Sequence, residues 1–140
     1  MKLFIDSGPF IARVNKKDPN HELILQILND IKIQKLEFTR LFTSNYIVDE
    51  SVTHVLYDTE RHDLAVKVLD LIKSSKIIEI LWVNPEIETN ACNIFKTYKD
   101  QNFSLTDCTS FAIMQKFNIS TALTFDSHFK TMKFGVIPEK

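Results

Sequence analysis

The chain has 140 residues, is 44% hydrophobic, and sets 17 Lys plus Arg against 18 Asp plus Glu for a formal charge of -1. Such a length holds one ordinary core without staples, read here as a single domain over 1–140 that buries roughly two thirds of its unfolded surface. The even charge balance excludes a basic footprint that announces nucleic-acid binding by itself, although metal ions held on carboxylates can bring positive charge to a reacting RNA.

In chain order, Lys2-Leu3-Phe4-Ile5 has β-favouring character with no alternation to a polar face, which suits a strand covered on both sides. Asp6 follows, then Ser7-Gly8-Pro9, where Gly8 suits an N-cap and Pro9 the first position of a helix beginning at Phe10. Asp6 thus stands at the carboxyl end of a buried strand, the edge of an open α/β sheet where ligands bind. On this stretch alone a ligand-binding carboxylate and a capping group are equally good accounts of Asp6.

Asp18-Pro19 reads as a cap followed by proline at a helix start, and Leu23, Ile24, Ile27, Leu28 and Ile31 then share one helical face. Leu41 to Ser44 is a second strand, with Asn45 able to cap the helix after it. Val48, Ser51, Val52, Val55 and Leu56 line one face of that helix, while Glu50, Thr53, His54 and Tyr57 lie opposite. By itself Glu50 is an ordinary surface glutamate, in reach of His54 four residues on.

Leu64, Ala65, Val68, Leu69 and Ile72 give another one-sided helix, Ile77 to Val83 a third strand, and Asn84-Pro85 a further cap and helix start. Ile87, Ala91, Ile94, Phe95 and Tyr98 form the next apolar stripe, with Cys92 beside it as packing. Ser104 with Asp107 fits a capping box, in which Asp107 favours the positive end of its own helix. Thr121 to Phe125 is a fourth strand ending in Asp126, and Phe134 to Ile137 a short last one. Strands alternate with helices throughout, which implies a largely parallel sheet with helices on both faces.

Much chemistry is excluded. Two glycines, Gly8 and Gly135, rule out Gly-rich phosphate cradles. Two cysteines, Cys92 and Cys108, make neither a disulfide framework nor a paired zinc-binding spacing. No stretch has signal-peptide character or membrane-spanning length, so a reducing cytoplasm is the expected compartment and no membrane partner is expected. His54 and His128 belong to no paired metal-binding motif and read as surface or supporting groups. Cys108 reads as an inert buried thiol.

Each acid has a local excuse, but Asp6, Glu50, Asp107 and Asp126 all fall on the same edge of a parallel sheet. If the strands carrying Asp6 and Asp126 are neighbours, the four side chains converge. Carboxylates about 5 Å apart at an effective dielectric near 20 repel by roughly 3 kcal/mol per pair, so such a cluster holds protons or cations. Oxygen-only donors select magnesium or manganese over zinc, and phosphodiester hydrolysis is the reaction that best uses them.

Four blocks carry a family resemblance: Phe4-Ile5-Asp6-Ser7, Thr43 through Glu50, Phe103 through Cys108, and Leu123 through Phe129. In order and spacing they resemble the motif blocks of PIN-domain nucleases, in particular VapC-like toxins, across nearly the whole chain. The resemblance implies a three-layer α/β/α fold on a mostly parallel sheet of about five strands. It implies a magnesium- or manganese-dependent endoribonuclease with Asp6, Glu50, Asp107 and Asp126 as the catalytic and metal-binding acids. In that scheme Asp6, Asp107 and Asp126 hold metal directly or through water, and Glu50 is a more distant ligand or helps deprotonate the attacking water. Ser7 and Ser104 match small polar positions that hold a ligand carboxylate or a phosphate in place. The turn Ser7-Gly8-Pro9 departs from the family's usual Thr-Ser and small residue, which leaves the role of Ser7 open. The expected partners are an RNA substrate, a small antitoxin and a second copy of the chain in a homodimer. Alternatives are a ribosomal-RNA processing nuclease, a non-catalytic magnesium-binding regulatory module, and a metal-dependent phosphatase.

Overall fold

A computed structural model describes residues 1–139, so the last residue of the expected domain, Lys140, lies outside the described residues. Its elements are β1 (Lys2–Ile5), α1 (Ser7–Val14), α2 (His21–Lys32), β2 (Arg40–Ser44), α3 (Asn45–Thr59) and α4 (His62–Lys73). They continue as β3 (Ile78–Leu81), α5 (Pro85–Thr97), α6 (Leu105–Lys116), β4 (Thr121–Leu123), α7 (His128–Thr131) and β5 (Gly135–Ile137). All five strands are parallel, in the order β3-β2-β1-β4-β5.

The strand order follows from how the chain changes direction. From β1 it steps outward to β2 and β3, then crosses back to β4 and β5 on the other side of β1. Right-handed crossovers on the two sides of such a switch put their helices on opposite faces. Accordingly α1 packs with α2, α3 and α4, while α5 packs with α6. The aromatic ring of Phe129 on α7 meets Phe111 on α6 edge-on at 5.0 Å, which fixes α7 on the second face.

β1 is the centre of the sheet and is covered on both sides, with Leu3, Phe4 and Ile5 at most 1% exposed. That burial is why this strand reads as an unbroken apolar run. Helix α2 seats Ile24, Ile27 and Ile31, and α4 seats Ala65, Val68 and Ile72, both at the predicted spacing. Helix α6 is different: every residue from Cys108 to Met114 is buried, because it lies between the sheet and its neighbours. A helix buried all round shows no amphipathic stripe, and its sequence accordingly has none.

Several local boundaries differ from the sequence reading. Helix α1 starts at Ser7 with Asp6 as its N-cap, rather than at Phe10 with Gly8. Ser44 caps α3 by accepting from the Ile47 N–H at 3.2 Å, whereas Asn45 accepts from the Val83 N–H at 2.8 Å and ties β3's exit to α3. Asp18 closes a local turn onto the Asn20 N–H, and α2 begins later, at His21. Strand β4 stops at Leu123, because Thr124 and Asp126 turn toward the site at its end.

Candidate active site

The parallel strands all end at one edge, and the chain reverses its direction of travel between β1 and β4. In open α/β sheets this topological switch opens a crevice beyond the strand ends. β1 and β4 are direct neighbours, with Phe4 opposite Ala122 and Ile5 opposite Leu123. The Asp6 N–H donates to the Leu123 carbonyl at 3.0 Å, so the residues that follow the two strands are held side by side.

Asp6 is 6% exposed and both its oxygens are engaged. Oδ1 accepts from the Ser7 N–H at 2.8 Å, and Oδ2 from the Thr124 hydroxyl at 2.7 Å. The two accounts that local sequence left even, cap and site carboxylate, are therefore satisfied together: one oxygen caps α1 and the other faces across to β4. Burial raises the Asp6 pKa from 3.8 to about 7, opposed by the hydrogen bonds from Thr124 and Ser7 and reinforced by the charges of Glu50 and Asp107. Glu50 and Asp107 thus lie close enough to Asp6 to act on its proton.

Thr124 is buried and links two acids. Its hydroxyl donates to Asp6 while accepting from the Asp126 N–H at 3.0 Å, which fixes the start of the turn that presents Asp126. Asp126 Oδ1 in turn accepts from the His128 N–H at 2.9 Å, opening α7. The capping box at α6 forms as expected: the Asp107 N–H donates to Ser104 Oγ and the Ser104 N–H to Asp107 Oδ2, each at 3.0 Å. Its consequence goes beyond helix initiation, because it aims the Asp107 carboxylate at Asp126.

His128 completes the group. Its Nδ1 is 3.2 Å from Asp126 Oδ1 and 3.3 Å from Asp107 Oδ2. Its Nδ1 thus lies between the two acids, and in the tautomer that carries the proton on Nδ1 it donates to Asp107 Oδ2. Asp107, Asp126 and His128 each offer a ligand atom within 4.8 Å of the others. The ring of His128 is held edge-on by Phe103, with centroids 5.0 Å apart.

The structure thus brings Asp107 and Asp126 together with His128 and joins Asp6 to the turn of Asp126 through Thr124, while the charges of Glu50 and Asp107 act on Asp6. Glu50 is half-buried and enters none of the ion pairs among the described residues, and the pairing with His54 within its reach does not form. Asp49, its neighbour, is exposed. Ser104 touches a site acid through its hydroxyl and backbone, while Ser7 contributes its backbone N–H to Asp6. Cys108 is buried, and burial with the nearby Asp107 charge pushes its thiol up to about 11, which keeps it an inert packing group.

Two residues of this constellation, Thr124 and His128, were not among the sequence candidates. The signal for Thr124 was its place two residues before Asp126, where a hydroxyl can hold the turn. For His128 it was the same spacing on the other side.

The donor set is one that could hold a divalent cation, and with His128 in it the set is not the oxygen-only one expected from the sequence. Asp107 and Asp126 supply carboxylate oxygens with the His128 imidazole beside them and no thiolate, and Asp107 keeps Oδ1 free of its capping box. The N-termini of α1, α3 and α6 open at the same edge, so their positive dipole ends face any anion brought there.

Comparison with known proteins agrees with this arrangement. The family model described as PIN domain matches residues 3–135. A VapC ribonuclease of Archaeoglobus fulgidus is 27% identical over 136 residues, 96% of this chain and 83% of the relative. The 23S rRNA-specific endonuclease VapC20 of Mycobacterium tuberculosis is 30% identical over 94 residues, 67% of this chain and 70% of the relative. The crystal structure of VapC20, described as a Sarcin-Ricin loop cleaving toxin, has the same fold with a TM-score of 0.85 at 23% identity, covering 94% of this chain and 95% of that one. VapBC2 of Rickettsia felis, solved bound to a DNA fragment from its promoter, matches with a TM-score of 0.66 at 13% identity over 97% of each chain. The chain belongs to the PIN domain family, among its VapC-like members.

Proposed function

We propose that this protein is a divalent-metal-dependent endoribonuclease that hydrolyses RNA phosphodiester bonds as the toxin of a VapBC-type pair. The observation that carries the reading is the grouping of Asp107, Asp126 and His128 at the β1/β4 switch, with Asp6 tied to the turn of Asp126 through Thr124. A relative named VapC ribonuclease, matched over 96% of the chain, supports it. The strand order β3-β2-β1-β4-β5 disfavours the regulatory-module alternative, since the flavodoxin-like order typical of receiver domains places its switch between β1 and β3.

Asp6, Asp107 and Asp126 are the groups that would hold magnesium or manganese in this proposal, with His128 positioning the latter two. A bound ion there supplies Lewis acidity, lowering the pKa of water and neutralising charge on the phosphate. The chain's own residues prepare the site. Thr124 and the Ser7 N–H fix the orientation of Asp6, Ser104 and His128 fix that of Asp107, and the helix N-termini stabilise phosphate oxygens. In the proposed mechanism Glu50, which enters no ion pair among the described residues, takes the proton from the attacking water. A small antitoxin protein as inhibitor, a homodimer and a cytoplasmic location belong to the same proposal. No described helix is long and apolar enough to cross a membrane.

The test is cleavage of RNA by purified protein with magnesium or manganese. Asp6→Asn and Asp126→Asn are expected to abolish cleavage while the fold persists. Full activity in either variant, or wild-type cleavage unaffected by a chelator, would refute the assignment.

A further inference from the structure

The end of α5 and the loop into α6 leave apolar area uncovered beside the acidic site. Phe95 is 51% exposed and Tyr98 is 40% exposed, although the helical stripe that contains them predicts a core position. Of that stripe Ile87 and Ala91 are fully buried and Ile94 packs partly against the core, which leaves Phe95 and Tyr98 at the exposed end. Phe95, Tyr98 and Phe103, with Lys96 and Lys99, line a shallow pocket of about 390 Å³. Its inner wall, Phe103, is buried.

Phe103 joins this pocket to the site. Tyr98 and Phe103 have ring centroids 5.7 Å apart, and Phe103 and His128 5.0 Å apart. His128 bridges Asp107 and Asp126. Lys96 and Lys99 enter no ion pair among the described residues, unlike Lys116, which is bound to Glu86. Asp100 is the lone carboxylate between 95 and 103. A chain of net charge -1 therefore gathers two lysines outside any described ion pair and two half-exposed rings around one pocket whose buried wall, Phe103, touches His128.

Exposed aromatic faces stack unpaired bases, and neighbouring lysines neutralise the phosphates between them. We propose that the pocket formed by Phe95, Tyr98 and Phe103, flanked by Lys96 and Lys99, is a subsite for an unpaired nucleobase of the RNA strand next to the bond that is cut. The inference rests on the ribonuclease reading above and adds to it where, and in what single-stranded form, the substrate leaves the catalytic centre.

The experiment is steady-state cleavage of a single-stranded oligoribonucleotide with magnesium. Tyr98→Ala is expected to raise KM about tenfold with kcat little changed, the size of one lost base stack, while Tyr98→Phe stays close to wild type. Phe95→Ala, at the more exposed ring, is the second variant should Tyr98→Ala lower the melting temperature. Replacing Lys96 and Lys99 by Gln is expected to reduce the slope of log KM against log salt by about one per lysine. Wild-type cleavage with KM unchanged in both alanine variants overturns the subsite and leaves the ribonuclease reading standing. That result together with a change of oligomeric state in Tyr98→Ala assigns the patch to contact between copies instead. If the wild-type protein cleaves no RNA, both readings fall.

Discussion

Replacing Asp6 by Asn isolates the cost of a buried carboxylate in this site. The group titrates at about 7 in the folded chain, against its ordinary 3.8. Between those values the unfolded chain has already released the proton that the folded chain still holds, so stability falls as pH rises through this window. Three pH units of displacement correspond to roughly 4 kcal/mol, present below the lower value and lost above the upper one. Asn removes that loss. It keeps an acceptor for the Ser7 N–H but turns its amide toward Thr124, whose hydroxyl proton then lacks the 2.7 Å partner it has now, a penalty of about 1–1.5 kcal/mol. The net expectation without metal is a gain of about 2–3 kcal/mol at about pH 8, or roughly 6–10 °C in melting temperature, shrinking to nothing near about pH 4.5. Thermal unfolding of both proteins across this range in chelator measures it. An Asn variant less stable than wild type at the upper pH, or a difference that does not vary with pH, would refute the argument that Asp6 is strained by burial and by its acidic neighbours.

Other consequences are open to direct measurement. Magnesium or manganese should raise the melting temperature of the wild-type chain, by about 1.4 kcal/mol of stability at ten times Kd, and leave Asp126→Asn nearly unmoved. A flat response at millimolar ion would exclude a metal site here. His128→Ala removes the bridge between Asp107 and Asp126 and is expected to weaken metal affinity about 10–100-fold, read by titration calorimetry; unchanged affinity would reduce His128 to packing against Phe103. Ser104→Ala deletes the cap of α6 and should cost about 1 kcal/mol in urea unfolding. Cleavage should suffer less from that change than from Asp107→Asn, because the Ser104 backbone N–H continues to hold the carboxylate.

The amino-acid sequence by itself determined the alternation of strands and helices, the caps at Asn84 and Ser104, and the assignment of four acids to one sheet edge. These are readable because periodicity and capping act over a few residues. The double role of Asp6 was half legible: the carboxylate after a buried strand was visible, but not that it displaces Gly8 as the cap. Only the tertiary structure decided which acids meet, since that depends on β4 crossing back to lie against β1, 118 residues apart at the Thr124 to Asp6 bond. The same crossing recruited Thr124 and brought His128 onto Asp107 from 21 positions away. It also left Phe95 and Tyr98 uncovered, because a helical stripe specifies a face and not what packs against it. Local energies write the elements and their ends. The charge cluster needs long-range pairing as well, Thr124 with Asp6 and His128 with Asp107, which no local pattern shows.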